Sequence, residues 1–408
     1  MEKSSSAIVV SKPETKKFNE KEMYRPWSEL ADLIIEKIYG GLEFLDKFRT
    51  ASVCVSWRNA APEFARRRPQ KLVPWLILSY DVQTEALGLL NFHENMIHHI
   101  RIPHINMKLC CGSSQGWLFM FDDAQYNHCF LLNPITKARI HLPPLNIELL
   151  PHDVVKVILS SDPKISEEWI VVACVASRGL IFYKSTFMSW SFASPEDRLW
   201  YPLDDRDIVI YGRRVYALEI LHSLSIYDMD HLICILEGSA VSPFYDLHHT
   251  TDPYISYLVE SNGEIFLIAR FFKNIRNPCT ACDSLSFGEC FECQSASFHY
   301  VTLKFLLFKL KLNYDERRKR TDYVWVKQSS LGVDQALFLS KSGSISISTI
   351  ESPGVHGDSV YFTNDLHPET GKLFDRGIYH IQDGQCEPLI QIDSYPSDFP
   401  SVWITPSI

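Results

Sequence analysis

The chain lacks the sequence features of a secreted or membrane-inserted protein. Its N-terminal residues contain no apolar run of about 7 to 15 residues of the kind found in signal peptides. Its longest apolar stretches, such as residues 169–176, fall far short of the roughly 20 residues that span a bilayer. No Asn-x-Ser/Thr acceptor occurs in the 408 residues. We therefore expect the protein in the cytoplasm, the nucleus or both, with no membrane as a partner.

Excess positive charge is also missing. The formal net charge is -9, whereas binding to the phosphates of a nucleic acid needs a surplus of Lys and Arg. The only dense basic runs lie at residues 66–68 and 317–320, where solvated loop charge is the favoured interpretation. We expect no nucleic-acid partner.

The patterns that usually mark an active site are scarce. The eleven cysteines are odd in number, and Cys54, Cys174 and Cys234 stand alone in apolar runs, as in the core of a reduced intracellular protein. The acidic residues are scattered, and no pair has a spacing that favours acid/base chemistry. We therefore expect no catalytic residues and no enzymatic activity.

One motif does match a catalytic element. The segment Gly112-Ser-Ser-Gln-Gly116 fits the nucleophile elbow of serine hydrolases, which requires a strand before the serine and a helix after it. Residues 117–121 instead have the composition of a strand. Serines that cap a turn are the favoured interpretation.

A cysteine-rich insert, residues 274–298, leaves two interpretations open. Two Cys-x-x-Cys pairs can supply four thiolates to a tetrahedral zinc ion. The residues between the pairs are fewer than the roughly 15 to 20 of typical zinc ribbons. The insert is either a metal-clipped loop or a flexible loop with idle thiols, so we assign neither a metal nor another cofactor. The cysteines concerned are Cys279, Cys282, Cys290 and Cys293.

Residues 27–60 have the apolar spacing of three short helices. The first carries a predicted stripe of Leu30, Leu33, Ile34 and Ile38 and ends at a Gly-Gly break. A unit of about 40 residues is too small to bury so much apolar surface alone, so part of it should face a partner. Residues 1–23 are polar, without periodicity, and are predicted to be a disordered tail.

The order of these residues resembles the F-box, a helical module that binds a Skp-type adaptor and, through it, a cullin. Trp27-Ser-Glu-Leu30 is similar to the opening of plant F-boxes, and Ser56-Trp57-Arg58 to their closing signature. Ala31 replaces the proline usual in the family, which we expect to soften the helix start. The resemblance implies an F-box over residues 24–68. The implied adaptor-binding residues are Trp27, Leu30, Leu33, Ile34, Ile38, Leu42, Leu45 and Trp57.

From Trp75 onward the pattern changes to short strands and turns. Asn262-Gly263 and Gly212-Arg213 each separate two apolar runs and predict tight hairpins with positive φ. A glycine followed by an aromatic strand recurs along the chain, and blades of about 40 to 50 residues would give roughly six or seven in residues 75–408. A propeller is predicted, with a β-sandwich array as the competing architecture. Trp403 is expected to be buried where the last segment closes the ring against the N-terminal β-strands.

Short motifs in this region resemble the KIB-type plant F-box family with a C-terminal propeller-like domain. They include Leu132-Asn-Pro-Ile-Thr136 and the closing Phe399-Pro-Ser-Val-Trp403. The resemblance implies an α+β multidomain chain in which a small three-helix F-box precedes a large all-β domain. It further implies a non-catalytic substrate-recognition subunit of a Skp-cullin-F-box ubiquitin ligase, with a protein target that the sequence does not identify. A non-degradative scaffold or a small-ligand sensor is the alternative.

Overall fold

In a computed structural model, the chain divides into two compact units, residues 1–70 and 71–408. The structure describes residues 26–42, 44–51, 53–60, 73–81, 83–92, 95–105, 110–122, 128–145, 153–175, 179–193, 207–218, 223–239, 243, 253–276, 298–315, 320–352, 354–363, 375–389 and 402–407. The predicted tail, residues 1–23, lies outside this set.

The described part of the first unit is helical. A single 3-10 turn at Trp27–Glu29 precedes helices α1 (Asp32–Gly41) and α2 (Phe44–Ala51), and α1 ends at the predicted Gly-Gly break. Residues 55–60 are also helical and adjoin the undescribed residues from 61 onward, so the extent of the predicted third helix lies outside the described residues.

The second unit is built from six sheets, and their strands have the following bounds. Blade 1 has β1 (Trp75–Asp81), β2 (Ala86–Asn91) and β3 (Met96–Arg101). Blade 2 has β4 (Cys110–Ser114), β5 (Trp117–Phe121), β6 (Cys129–Leu132) and β7 (Arg139–His141). Blade 3 has β8 (Val154–Leu159), β9 (Ile170–Val175), β10 (Gly179–Lys184) and β11 (Ser189–Phe192).

The remaining blades follow in chain order. Blade 4 has β12 (Asp207–Tyr211), β13 (Arg214–Leu218), β14 (Leu224–Asp228) and β15 (Ile233–Ser239). Blade 5 has β16 (Tyr254–Ser261), β17 (Glu264–Arg276), β18 (Phe298–Asp315) and β19 (Arg320–Gln328). Blade 6 has β20 (Gln335–Ser340), β21 (Gly343–Ser348), β22 (Ser359–Phe362), β23 (Gly377–His380) and β24 (Cys386–Pro388). The last strand, β25 (Val402–Ile404), returns to blade 1.

The six sheets form a closed propeller. Their innermost strands are β25, β4, β8, β12, β16 and β21, and each contacts the next around the ring, with β21 meeting β25. Apolar clusters lie between blades 2 and 3, 3 and 4, 4 and 5, 5 and 6, and 6 and 1. The second unit is therefore a six-bladed propeller, and neither a seventh blade nor a sandwich array is present in its described residues.

Local turn chemistry explains where the predicted hairpins fall. Asn262 and Gly263 have φ values of 52° and 79°, and Gly212 and Arg213 have 57° and 60°. These positive values at both central positions are those of a type I′ turn, which matches the twist of the flanking strands. The two predicted hairpins, β16–β17 and β12–β13, are confirmed.

The C-terminal strand closes the ring, as predicted. β25 pairs antiparallel with β1, with Trp403 opposite Leu76. The Trp403 indole is fully buried, its Nε1 donates to the Leu339 carbonyl at 3.0 Å, and its ring meets Phe338 edge-on at 4.9 Å. Blades 1 and 6 are thereby held together by residues from the end of the described chain.

Backbone from three blades converges at the centre of the ring. A Cβ at Gly112 would lie 2.8 Å from the Ser342 carbonyl oxygen and 3.6 Å from the Val157 nitrogen. A side chain at residue 112 would clash with the Ser342 carbonyl just before β21, whereas Val157 of β8 lies at van der Waals distance, so this approach requires glycine. Strands β4 and β8 and the residue that precedes β21 therefore approach one another closely at this level.

The serines of the candidate nucleophile elbow join blades together. The Ser113 hydroxyl donates to the Trp403 carbonyl, and the Ser114 hydroxyl accepts from the Leu159 amide at 2.9 Å. Strand β5 follows the motif directly, so the helix that a nucleophile elbow needs is absent from these described residues. The turn-capping interpretation is wrong for these contacts, because both hydroxyls bond to neighbouring blades.

A buried ion pair connects blades 3, 4 and 5. Lys156 Nζ contacts Asp207 Oδ1, and both side chains are almost fully buried. Asp207 also accepts from the amides of Ile208 and Leu258, each at 2.7 Å. Burial raises the pKa of Asp207, and the Lys156 ammonium group opposes that rise. The pair thus links the blades, and removing either side chain would leave the other charge buried without its partner.

A buried arginine connects blades 5 and 6. Arg270 Nε donates to Thr302 Oγ1 at 2.8 Å, and Nη1 donates to the Thr363 carbonyl at 2.7 Å. Its Nη2 donates to the Asp375 carbonyl at 3.0 Å and to Asp375 Oδ2 at 2.9 Å. Thr363 and Asp375 flank residues 364–374, so one guanidinium group holds both ends of that connection.

One sequence expectation for blade 5 needs correction, and blade 6 contains a strand pairing that was not anticipated. The ladder between β17 and β18 continues to the pair Arg276 and Phe298, so the cysteine-rich connection is shorter than residues 274–298. Its four cysteines lie outside the described residues, and the zinc question stays open. In blade 6, β20 pairs parallel with β22, a crossover that no sequence signal predicted.

We predict that Trp403→Ala lowers the free energy of unfolding by about 3–5 kcal/mol, because it empties the buried space between blades 6 and 1. Urea titration of the full chain measures this. Phe187, which is exposed, provides the control, and its replacement by Ala should change stability by less than about 0.5 kcal/mol. Equal stability of the two variants would show that the ring is held closed elsewhere.

The buried ion pair yields a second prediction. Lys156→Met leaves the Asp207 carboxylate buried without its cation and should cost about 3–5 kcal/mol. The double variant Lys156→Met/Asp207→Asn removes both charges and should be more stable than the single variant. Urea titration of both variants measures their free energies of unfolding. A double variant that is no more stable than Lys156→Met would argue against this coupling.

Candidate functional site

The helical unit has a small core of its own. Ile35, Tyr39 and Trp57 are buried together, and Trp57 Nε1 donates to the Trp27 carbonyl at 2.8 Å, which ties the 3-10 turn to residues 55–60. The Tyr39 hydroxyl donates to the Lys47 carbonyl and joins α1 to α2. Three buried side chains and two hydrogen bonds therefore organise the described part of this unit.

Substantial apolar surface lies outside that core. Leu33 is 75% exposed and Ile34 is 50% exposed, although both belong to α1. Trp27, Val53 and Val55 are exposed as well. Exposed aliphatic and aromatic side chains at this density on so small a unit are typical of a surface that another protein covers.

The structure separates the predicted binding stripe into two groups. Leu30 and Ile38 pack partly against the core, whereas Leu33 and Ile34 face outward. Leu30 has extended backbone, with φ -63° and ψ 138°, so it precedes α1 rather than belonging to it. The prediction of one continuous stripe from Leu30 to Ile38 is therefore wrong, because a residue ahead of the helix does not share its spacing.

The other predicted site residues also differ in exposure. Trp57 is buried in the core, Trp27 is exposed, and Leu42 is partly buried just after α1. Leu45 lies in α2, but its side chain is outside the described residues. Val53 and Val55 are also exposed, although neither was among the predicted adaptor-binding residues. The exposed group, which we call the apolar patch, consists of Trp27, Leu33, Ile34, Val53 and Val55.

Ala31 keeps the backbone geometry of the proline it replaces. Its φ is -63° and its ψ is 142°, and its carbonyl accepts from the amides of Ile34 and Ile35 at 2.8 and 3.2 Å. Proline fixes φ near -65°, so the first turn of α1 forms here without that constraint. The expected softening is thus an effect on the unfolded chain rather than on the folded geometry.

Metal-binding and membrane-spanning features are not found in the part of the chain that the structure describes. Its His, Cys, Asp and Glu side chains form no group of three or more that could hold a metal ion. None of the helices in these ranges is long and apolar enough to cross a membrane.

Two buried cysteines of blade 2 are unsuited to nucleophilic chemistry. Burial raises the pKa of Cys110 to about 11 and of Cys129 to about 12, so these thiols stay protonated and unreactive.

The chain thus carries a helical unit with uncovered apolar surface, followed by a large β-domain that is a six-bladed propeller. Residues 89–380 match the KIB1-4 beta-propeller family. The chain therefore belongs to the plant F-box β-propeller family.

Individual relatives support this membership along most of the chain. F-box protein At2g05970 of Arabidopsis thaliana is 23% identical over 407 residues, which cover 93% of this chain and 96% of the relative. At4g17565 of the same plant is 26% identical over 379 residues, which cover 90% of each chain. F-box protein At1g10110, also from Arabidopsis thaliana, is 32% identical over 122 residues, or 29% of this chain and 28% of the relative.

We predict that Ala31→Pro stabilises α1 by about 0.4–1 kcal/mol, because the folded backbone already suits proline and the unfolded chain loses freedom. Amide hydrogen exchange of α1 in the full chain should slow by about two- to fivefold. As a matched control, Glu36→Pro in the middle of α1 should accelerate exchange, since proline there clashes with the preceding turn. Faster exchange in Ala31→Pro would contradict the prediction.

Proposed function

We propose that this protein is the substrate-recognition subunit of a Skp-cullin-F-box ubiquitin ligase. The helical unit binds a Skp-type adaptor through the apolar patch, and the propeller binds a protein target. The observation that carries the proposal is the coexistence of uncovered apolar side chains, above all Leu33 and Ile34, with a family known by its F-box and propeller.

The physical chemistry of the apolar patch favours protein docking. Burying a Leu or Ile side chain contributes about 1.5–3 kcal/mol, and a few such anchors dominate most interfaces. Leu33 and Ile34 are consecutive on α1, and the core residue Ile35 beneath them is fully buried, so the helix that presents them is fixed in the unit. A rigid apolar surface binds with a smaller loss of conformational entropy than a flexible one.

In this role the protein accelerates ubiquitination without chemistry of its own. Holding a target and a charged ubiquitin carrier in one assembly raises the effective concentration of target lysines near the thioester. The propeller supports such a role because closed blades give a stable platform for recognition loops. The close approach of backbone from three blades at Gly112 favours recognition on the outer surface of the propeller over a ligand held at that level.

The adaptor interaction is tested by Leu33→Ala/Ile34→Ala. These positions are chosen instead of Leu30, because Leu30 packs on the core and its loss would disturb folding. Loss of two buried aliphatic anchors should weaken binding of a purified Skp-type adaptor by at least about a hundredfold. Ile165→Ala, at an exposed position of blade 3, is the matched control and should bind normally. Unchanged adaptor affinity in the double variant would overturn the docking assignment.

Target recruitment needs a second measurement. Cells carrying either the unchanged protein or the Leu33→Ala/Ile34→Ala variant are compared by ubiquitin-remnant proteomics. A ligase subunit predicts proteins that bind both forms but lose ubiquitin and accumulate only with the variant. Partners that bind without any change in ubiquitination or abundance would indicate a non-degradative scaffold instead.

A further inference from the structure

Two exposed aliphatic side chains occupy neighbouring positions at one end of blade 6. Val333 precedes β20 and Ile350 follows β21, and they are 77% and 78% exposed. The ladder between these strands continues past its last pair through a 2.8 Å hydrogen bond from the Thr349 amide to the Asp334 carbonyl. Val333 and Ile350 are the next residues in sequence on either side of this bond, so both lie at this end of the blade.

The backbone that carries this pair is fixed by its surroundings. The Leu331 amide donates to Asp358 Oδ1 at 2.7 Å, and the Asp358 amide donates to the Gln335 carbonyl at 2.8 Å. Gly357 has no room for a side chain, because the Val333 carbonyl fills the place of its Cβ. The exposed aliphatic pair is therefore a preformed feature of the surface, which reduces the entropy lost when a partner binds.

The charged residues that directly follow the pair in sequence are acidic, and the exposed Lys327 of β19 lies six residues before Val333. Asp334 and Glu351 directly follow Val333 and Ile350 in sequence, and Glu260 lies on the adjoining end of blade 5. The two blade ends are joined by a 2.8 Å hydrogen bond between the hydroxyls of Ser261 and Ser346. In the described part of residues 329–363 the only Lys is at position 341, at the opposite end of the β20–β21 hairpin, and there is no Arg.

A second exposed apolar group, on blade 3, lacks this charge pattern. Phe187 and Met188 are exposed in the turn after β10. Lys184 Nζ lies 5.1 Å from the centre of the Phe187 ring, and Lys184 also interacts electrostatically with Asp230 of blade 4. Charges of both signs surround these residues, so this group serves as a control surface of similar hydrophobicity.

We propose that the acidic aliphatic surface of blade 6, formed by Val333, Asp334, Ile350 and Glu351, binds a basic segment of a partner protein that also carries apolar side chains. Carboxylates select lysine and arginine and repel acidic partners, and the aliphatic pair supplies a contact that excludes water. The identification of this segment with the ligase target rests on the proposed function. The binding itself depends on the propeller alone.

The test uses a short fluorescein-labelled peptide of alternating lysine and leucine, with a glutamate-leucine peptide of equal length as the charge-reversed probe. Fluorescence anisotropy with the full chain at physiological salt should show binding of the lysine peptide only. Val333→Ser/Ile350→Ser should raise its Kd by about tenfold or more. Asp334→Asn/Glu351→Gln, which changes charge but not size, should also weaken binding and reduce its salt dependence. Phe187→Ser/Met188→Ser should leave the Kd unchanged.

Three results would overturn the proposal: no binding of the lysine peptide, equal binding of both peptides, or equal weakening by the blade 3 and blade 6 variants. Thermal midpoints of all variants are compared first, and the exposed positions should leave them unchanged. Adaptor capture is measured on the same preparations. Its failure would count against the proposed function, whereas failure of peptide binding alone would count only against the blade 6 surface.

Discussion

Pairing between residues 402–404 and strand β1 is the constraint on which the propeller depends. Each blade buries its two faces against neighbours, so the arrangement is complete only when blade 6 meets blade 1. Trp403 makes that contact by filling the space next to Phe338, while its backbone supplies the inner edge of blade 1. Without it, β1 would expose an unpaired strand edge beside an uncovered apolar face, a combination that promotes aggregation.

The helical unit, unlike the propeller, leaves a large part of its apolar surface exposed. Its core of Ile35, Tyr39 and Trp57 is too small to shelter the rest of its hydrophobic side chains, and Leu33 and Ile34 remain in water. In the propeller, by contrast, apolar clusters lie between the blades, and its exposed hydrophobic residues stand mainly on turns and outer strands. This difference is consistent with the proposed function, in which an adaptor covers the helical unit while the propeller buries its own apolar faces.

The sequence predicted a structural feature correctly where nearby residues, or a strong family pattern, determine that feature. The Asn262-Gly263 pair predicted its hairpin because both residues accept positive φ, and Trp403 between two aliphatic residues marked a buried strand. The sequence did not predict features that depend on residues distant in the chain. Asp207, the partner of Lys156, lies in another blade, and the parallel pairing of β20 with β22 depends on how the whole blade assembles. The single continuous stripe was wrong because residue spacing alone does not show where a helix begins, and Leu30 precedes α1. Adaptor binding by these residues stays a prediction.

Arg270 holds both ends of residues 364–374. The length of that connection therefore does not determine the geometry of blade 6. Because the Thr363 and Asp375 carbonyls are held by a neighbouring blade, the strands on either side keep their register whatever the intervening residues do. Insertions, deletions or a grafted peptide between these two anchors should be tolerated by the fold. A single buried side chain thus makes one stretch of the protein open to diversification while the platform stays constant.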